Sequence, residues 1–398
     1  MERKNFLSMG ILIVALILFS SMSSYSEEVR GVTDKSVTIG VIGDLTGPVA
    51  DIWIPAAEAI RCYFRYVNEN GGVHGRKIIT IIEDDRYNIP MALSAFKKLI
   101  FRDQVLMLMA ASGIGQTHAI IPLAEKDKVP MMAVTNDNRY FQPVRKYVFG
   151  TIPFYEDQIE LIFEYIFKDL KAKNPTIALA YPDTASGNIS RDTCRKMTRI
   201  YNVKNFIETI ISVGAGDFTS QILRLKTQNP DYVIIHGYTG STSAFLRDVY
   251  KLKFKSTFIG IQYATDNDVV KLAGVAASGF IGTNSYPQWN DDSPGMAEVR
   301  KIVLKYYPET TWKSTHFLNG WFISKLIHKA LENAGRGLTP ETVVQGIERI
   351  RNFDTICGIV SYGPDDHKPI DYSRFYKADV EKKQLVPITD WRKPPAKD

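Results

Sequence analysis

The run VTIGVIG at Val37–Gly43 opens the part of the chain whose reading decides the fold. It is short, β-branched and apolar without polar alternation, as expected of a strand covered on both faces. A helical pattern follows from Ile54 to Asn70, with Pro55 in its first turn and Gly71-Gly72 as its stop. The alternation then continues. Lys77–Glu83 reads as a strand, Met91–Arg102 as a helix, Val105–Ala110 as a strand, Thr117–Lys126 as a helix and Val129–Val134 as a strand. Apolar strands separated by helices predict a parallel sheet with right-handed crossovers, a doubly wound lobe.

The pattern restarts downstream. Gln158–Leu170, Ile189–Tyr201, Phe218–Gln228 and Ser243–Leu252 read as helices between strands at Thr176–Tyr181, Phe206–Ser212, Tyr232–His236, Phe258–Ile261 and Phe280–Thr283. Two more helices, Ala297–Tyr306 and His316–Ala334, precede a Pro- and Asp-punctuated tail with short strand runs over Ile359–Pro387. The fold class is therefore α/β, with two doubly wound Rossmann-like lobes. No low-complexity linker separates them, so several close chain crossings, rather than a tether, are expected to form the hinge.

Length and composition agree. A chain of 398 residues suggests two domains, and 45% hydrophobic with 23% charged residues excludes a disordered tail or a multi-span membrane protein. Met1–Ser26 reads as a cleaved secretory signal: Arg3 and Lys4 in front, the apolar run GILIVALILF at Gly10–Phe19, then Ser24 and Ser26 at the cleavage site. The apolar run is shorter than the roughly 20 residues of a membrane span; an uncleaved anchor shares the remaining features. The mature protein is expected to be soluble and periplasmic. Its net charge of +6 changes little when Glu2, Arg3 and Lys4 leave, and no basic stripe interleaved with aromatics points to nucleic acid. Cys62, Cys194 and Cys357 allow one disulfide at most. Cys62 falls within an amphipathic helical pattern and reads as a buried apolar residue.

Ligands of open parallel sheets bind beyond the carboxyl ends of the strands. The loops there are Asp44–Trp53, Glu83–Asn88, Ala111–Thr117, Thr135–Tyr140, Pro182–Gly187, Gly237–Ser241 and Gln262–Thr265. Rich in Gly, Ser, Thr, Asn and Asp with a few aromatics, they suit hydrogen bonding and stacking more than bond cleavage. No dinucleotide fingerprint, phosphate loop, HExxH, GxSxG or CxxC occurs, and the histidines lack metal-ligand spacing. Gly214-Ala215-Gly216 reads as a turn before a helix capped at Asp217 or Thr219, Asp51 and Asp85 as solvated or capping residues, and Glu83-Asp84-Asp85 as loop-ordering carboxylates. Catalysis, metals and cofactors are thus not expected. Among aromatics on or near loops, Trp53, Tyr140, Phe141, Tyr263 and Trp289 are each a packing residue or a ligand platform.

Several local sequences carry a family resemblance: IGVIGDLTGPVA at Ile39–Ala50, RYVNENGGVHGRK at Arg65–Lys77, VPMMAV at Val129–Val134, GDFTSQILRL at Gly216–Leu225, DYVIIHGY at Asp231–Tyr238 and FDTICGIVSYGP at Phe353–Pro364. The chain resembles the branched-chain amino-acid type of solute-binding protein that serves ATP-driven importers. The resemblance runs from about Val37 to Pro387 and implies the type I periplasmic-binding fold, whose hinge has three crossovers. With 1–26 read as the signal peptide, it implies one lobe from 37–152 plus 284–355, and a second from 153–283 plus 356–390. It also implies a monomer that binds a small molecule and delivers it to a membrane permease with ATPase subunits; a ligand sensor on the same fold is the alternative.

The resemblance places the ligand carboxylate against Ser112–Thr117 and Thr135–Asp137. Ser112, Gly113, Thr117, Thr135 and Asp137 would line that side, and Tyr238 and Gln262 the opposite lobe; Trp53, from the loop after the first strand, is the further candidate contact. Two departures stand out. Gln262 is neutral where amino-acid binders commonly place an acid for the ammonium group, and Asp137 brings an anion where a hydroxyl is usual. A register shift of one or two residues hands the second place to Asn136 or Asn138. Ser186-Gly187 replaces a frequent Tyr-Gly pair. These departures argue against a leucine-like ligand and leave open a differently charged amine, an amide, or a small organic or aromatic acid.

Overall fold

The computed structural model describes residues 29–394 apart from Asn136. The signal segment and Asn136 lie outside the described residues. The first sheet takes its strands from the start of the chain, β1 (Ser36–Gly43), β2 (Lys77–Asp84), β3 (Met107–Ala110), β4 (Met131–Ala133) and β5 (Val148–Phe149), with the helices α1 (Ala50–Glu69), α2 (Ile89–Lys97) and α3 (Ile114–Lys126) between them. All are parallel, in the order β2-β1-β3-β4-β5. Val37, Ile39, Val41 and Ile42 are all buried, as an apolar run without alternation requires.

The second sheet repeats that order. After α4 (Tyr155–Glu164) come β6 (Thr176–Tyr181), α5 (Ala185–Ile200), β7 (Asn205–Ile210), α6 (Thr219–Gln228), β8 (Tyr232–Ile235), α7 (Thr239–Lys251), β9 (Thr257–Gly260), α8 (Asn267–Ala273) and β10 (Ile281–Asn284). The helices α9 (Pro294–Tyr306), α10 (Thr315–Ala334) and α11 (Pro340–Glu348) then return to the first sheet's side, where α10 packs along α1 and against α11. A small hairpin, β11 (Phe353–Thr355) with β12 (Gly358–Val360), precedes β13 (Arg374–Asp379) and β14 (Gln384–Pro387). The second sheet runs β14-β13-β10-β9-β8-β6-β7, its last two strands added antiparallel at one edge. Its two faces belong to two cores: Ile177, Leu179 and Ile234 join the large core of the first sheet, whereas Ala178, Ala180, Val233 and Ile235 face a second one.

The chain crosses between the sheets three times, after β5, after β10 and before β13, and the crossings are tied to one another. Gly150 donates its N–H to the His367 carbonyl at 2.8 Å, and Tyr362 donates its hydroxyl to the Gly150 carbonyl at 2.7 Å. Lys368 Nζ pairs with the buried Asp157 at 2.6 Å. Ser285 and Ser373 hydroxyls lie 2.8 Å apart, Tyr376 donates to the Tyr286 carbonyl at 3.1 Å, and Arg374 pairs with Asp291.

Most helices that follow strands begin earlier than periodicity suggests. α1 starts at Ala50, not Ile54, because the buried Asp44 carboxylate accepts from the N–H groups of Gly47 and Val49 at 2.5 and 2.8 Å and orders the turn ahead of it. Pro55 thus lies inside the helix rather than in its first turn. The Gly71-Gly72 stop stands, with both glycines at positive φ. Neither Asp217 nor Thr219 is the cap of α6: Phe218 holds that position without a side-chain bond, and Asp217, one residue ahead, accepts the Thr219 N–H at 3.0 Å. All three cysteines are buried and unpaired.

Close approach of α10 to α1 rests on Gly320, where a Cβ would collide with the Ala56 backbone. Gly320→Ala is expected to cost about 1–3 kcal/mol of stability by overpacking. Urea denaturation reads this as a lower midpoint at unchanged slope; an unmoved midpoint would contradict this packing.

Candidate functional site

Identical strand order puts a switch point in each sheet, between β1 and β3 in the first and between β6 and β8 in the second. Helices there leave the strand ends in opposite directions and open a crevice. The two crevices face each other across a narrow cavity lined from both sides. From the first sheet come Val49, Ile52 and Trp53 after β1, Tyr87 after β2, Ser112, Gly113 and Ile114 after β3, and Val134 and Thr135 after β4. From the other side come Tyr155 at the start of α4, Ser186 after β6, Tyr238 after β8 and Tyr263 after β9.

Of the sequence-derived site residues, Trp53, Ser112, Gly113, Thr135 and Tyr238 meet in this cavity. Thr117 stands behind it: its hydroxyl donates to the Gly113 carbonyl at 2.9 Å and lies 3.4 Å from that of Thr135. Asp137 and Gln262 do not line it. Asp137 is buried and turned toward His118 Nε2 at 2.8 Å and Arg139 Nε at 2.9 Å. Burial raises its pKa, but the hydrogen bonds from His118 and Arg139 outweigh that and bring it down to about 2. Gln262 is buried and its backbone N–H donates to Gln158 Oε1 at 3.0 Å. Tyr140, Phe141 and Trp289 are buried outside the cavity.

Asp85, expected to be solvated or capping, is neither: it is fully buried, while Asn88 caps α2 and α3 has no side-chain cap. Asp85 accepts from the Ser112 hydroxyl at 2.7 Å, the Ser112 N–H at 3.3 Å and the Tyr87 N–H at 3.0 Å, which fixes both residues at the cavity wall. Its pKa is raised because burial outweighs those bonds.

Tyrosine dominates the cavity. Tyr87 and Tyr238, from opposite sheets, place their hydroxyls 3.0 Å apart, and Tyr263 donates to the Val134 carbonyl at 3.4 Å. Burial pushes all four cavity phenols upward, so they stay neutral. Tyr155 stacks on His236, ring centroids 4.9 Å apart. His236 Nδ1 lies 2.7 Å from the Ser190 hydroxyl. Burial pushes its pKa down to about 3, so the ring is neutral. Sequence reading missed Tyr87, Tyr155 and Ser186 as wall residues; Tyr87 and Ser186 lay in loops already singled out, whereas Tyr155 opens a helix in the first crossing.

Among the described residues, none that lines the cavity carries a formal charge, and no His, Cys, Asp and Glu cluster suits a metal. Further contacts bridge the two sides at its rim. Asp51 accepts the Gly240 N–H at 3.1 Å, Asp266 accepts the Thr315 N–H and hydroxyl at 2.6 and 2.7 Å, and Thr239 Oγ1 lies 2.9 Å from His316 Nε2. The two sides are closed upon each other.

Residues 36–384 match the family described as periplasmic binding protein. The chain belongs to that family. It is similar to the Leu/Ile/Val-binding protein BraC3 of Rhizobium johnstonii, 23% identical over 340 residues, covering 82% of this chain and 87% of that one. A branched-chain amino acid ABC transporter structure from Thermus thermophilus with bound valine superposes with a TM-score of 0.84 at 23% identity, covering 92% and 98% of the two chains. A fatty acid ABC transporter substrate-binding protein from Thermomonospora curvata gives 0.81 at 19% identity, covering 93% and 95%. The paired sheets with three crossings are thus the type I periplasmic-binding fold.

A histidine whose pKa is about 3 when folded binds fewer protons than the unfolded chain between that value and its ordinary 6.5, so the stability it preserves is lost as pH falls through that window. Wild type should therefore weaken more steeply than His236→Gln below pH 6.5, by up to about 1.4 kcal/mol per pH unit. Denaturation at pH 7 and 4.5 measures it; parallel pH curves for the two proteins would refute a neutral buried imidazole.

Proposed function

We propose that this chain is the periplasmic receptor of an ATP-driven importer, which encloses a small amino-acid-like, organic-acid or amide ligand between two lobes and hands it unchanged to a membrane permease. The observation that carries this is the closed cavity at facing switch points, with walls from both sheets and Tyr87 and Tyr238 meeting across it. The relatives' names and the bound valine of the Thermus thermophilus structure support the same reading.

In this reading residues 37–152 and 284–355 move as one lobe, residues 153–283 and 356–390 as the other, and the tied crossings are the hinge. Gly113, Ser112 and Thr135 hold the ligand's polar end, with Thr117 setting the Gly113 turn. Trp53 and Tyr238 close over its body. Asp137 and Gln262 act from outside the cavity, Asp137 by holding the turn after β4 and Gln262 by fixing the turn after β9. Ligand favours the closed form because only that form supplies both walls at once.

Native mass spectrometry of protein purified from its host identifies the resident ligand. Adding that compound back to stripped protein should compact the molecule in small-angle scattering; an unchanged radius at saturation would refute closure. Asp51→Asn removes a charge at the start of α7 that is made only on closing. It should weaken binding about fivefold, near 1 kcal/mol, with thermal stability of the ligand-free protein little changed. Equal affinity in calorimetry would count against Asp51 as a latch.

A further inference from the structure

We propose that the cavity takes a small monocarboxylate that carries no ammonium group, its anionic end at the start of α3 and its uncharged body among Trp53 and the tyrosines. This narrows, and rests on, the receptor reading above.

Helix ends give the cavity its sign. α1, α3, α4, α5 and α7 all begin at its wall, through Val49, Gly113, Tyr155, Ser186 and Tyr238. Each start carries positive partial charge and unpaired N–H groups. Four of them are partly answered from within the protein: Asp44 accepts the Val49 N–H ahead of α1, Asp157 accepts the Phe154 N–H ahead of α4, Thr184 accepts the Gly187 N–H in α5, and Asp51 accepts the Gly240 N–H in α7. α3 has no side-chain cap. At α3, Gly113 and Ile114 are themselves wall residues, so its unpaired donors open on the cavity.

Among the described residues, no carboxylate lines the cavity to answer an ammonium group. Those near the wall are committed elsewhere; Asp44, for one, takes the Gly47 and Val49 N–H groups. Asp85 is behind Ser112, with its oxygens on the Ser112 N–H and hydroxyl and the Tyr87 N–H. Asp137 is clamped by His118 and Arg139, and Asp51 sits at the exposed rim on Gly240. The Tyr87 and Tyr238 hydroxyls engage each other, and Tyr263 is turned to the Val134 carbonyl. An α-ammonium brings three donors and a full charge into a closed space, where a charge left unpaired is strongly disfavoured. A carboxylate with an alkyl or aryl body meets Val49, Ile52, Trp53, Ile114 and Val134 at no such cost.

Matched pairs isolate the ammonium group. Calorimetry on the full mature protein, stripped of resident ligand, compares 4-methylpentanoate with leucine and 3-phenylpropanoate with phenylalanine, each pair sharing one carbon skeleton. The deaminated acid should bind at least about 30-fold more tightly than its amino acid, and 3-phenylpropanoate at least about tenfold more tightly than 3-phenylpropanamide. Equal or tighter binding of leucine or phenylalanine, accompanied by compaction in scattering, overturns the monocarboxylate assignment while the receptor reading stands. An amide that equals its acid, or a quaternary ammonium probe such as trimethylglycine that outbinds both acids, overturns it too. If neither acid binds, the assignment also fails; compaction with the resident ligand then decides the receptor reading by itself.

Discussion

Strands β1 to β5 run parallel to one another, as do β6 to β10, and that single constraint places the site. Parallel strands require a crossover on each connection, so every helix that follows a strand starts at the same sheet edge. Helix starts concentrate positive partial charge and unpaired N–H groups there. With the same strand order in both sheets, the switch points come to lie opposite one another. The cavity is therefore not an added feature but what remains where two such edges meet.

Closure depends on a modest set of polar contacts. The two sides touch through a tyrosine pair, a carboxylate at a helix start, a histidine near a threonine and the Asp266–Thr315 bonds. Neutral hydrogen bonds contribute roughly 0.5–1.5 kcal/mol each, and those to charged groups roughly 1.5–3. Against them stands the desolvation of every group that leaves water on closing. A balance of that size is one that a small ligand touching both walls can tip. The crossings resist differently: their mutual bonds through Gly150, Tyr362, His367 and Lys368 hold the connecting segments side by side, so relative motion is confined to bending about them.

Strands were legible in the sequence because apolar runs covered on both faces leave little ambiguity; Thr176–Tyr181 agrees end to end. Helix starts were not. Their first turns, as in Ile114–Gln116, Ala185–Asn188 and Thr239–Thr242, hold the Gly, Ser, Thr and Asn that composition assigns to loops. What orders such turns is a distant partner, as Asp85 does for Ser112 across 27 positions. The strand β5 and the helices α8 and α11 also escaped, β5 because two residues carry no periodicity. Within the site, residues immediately after strands were readable, and Ser112, Gly113, Thr135 and Tyr238 meet where the strand-end rule puts them. Tyr155 was not, since it follows a crossing rather than a strand. Nor could the sequence tell that Asp137 turns away from the cavity, because His118, which with Arg139 draws it aside, is its neighbour only in three dimensions.

Two glycines set the size of what the cavity admits. At Gly43 a side chain would run into the Trp53 ring, and at Gly113 a Cβ would stand 2.7 Å from the Tyr87 ring. Neither position has positive φ, so backbone strain does not explain them; ring volume does. Trp53 and Tyr87 are the large aromatic groups on the first sheet's wall, and each leans against bare backbone, Trp53 at the end of β1 and Tyr87 at the start of α3. The same VIGDLTGP stretch that announces the first strand thus carries the small residue that lets an indole lie flat beside it. Fold signal and ligand wall are written into one segment, because the turn that ends the strand is also the floor of the site.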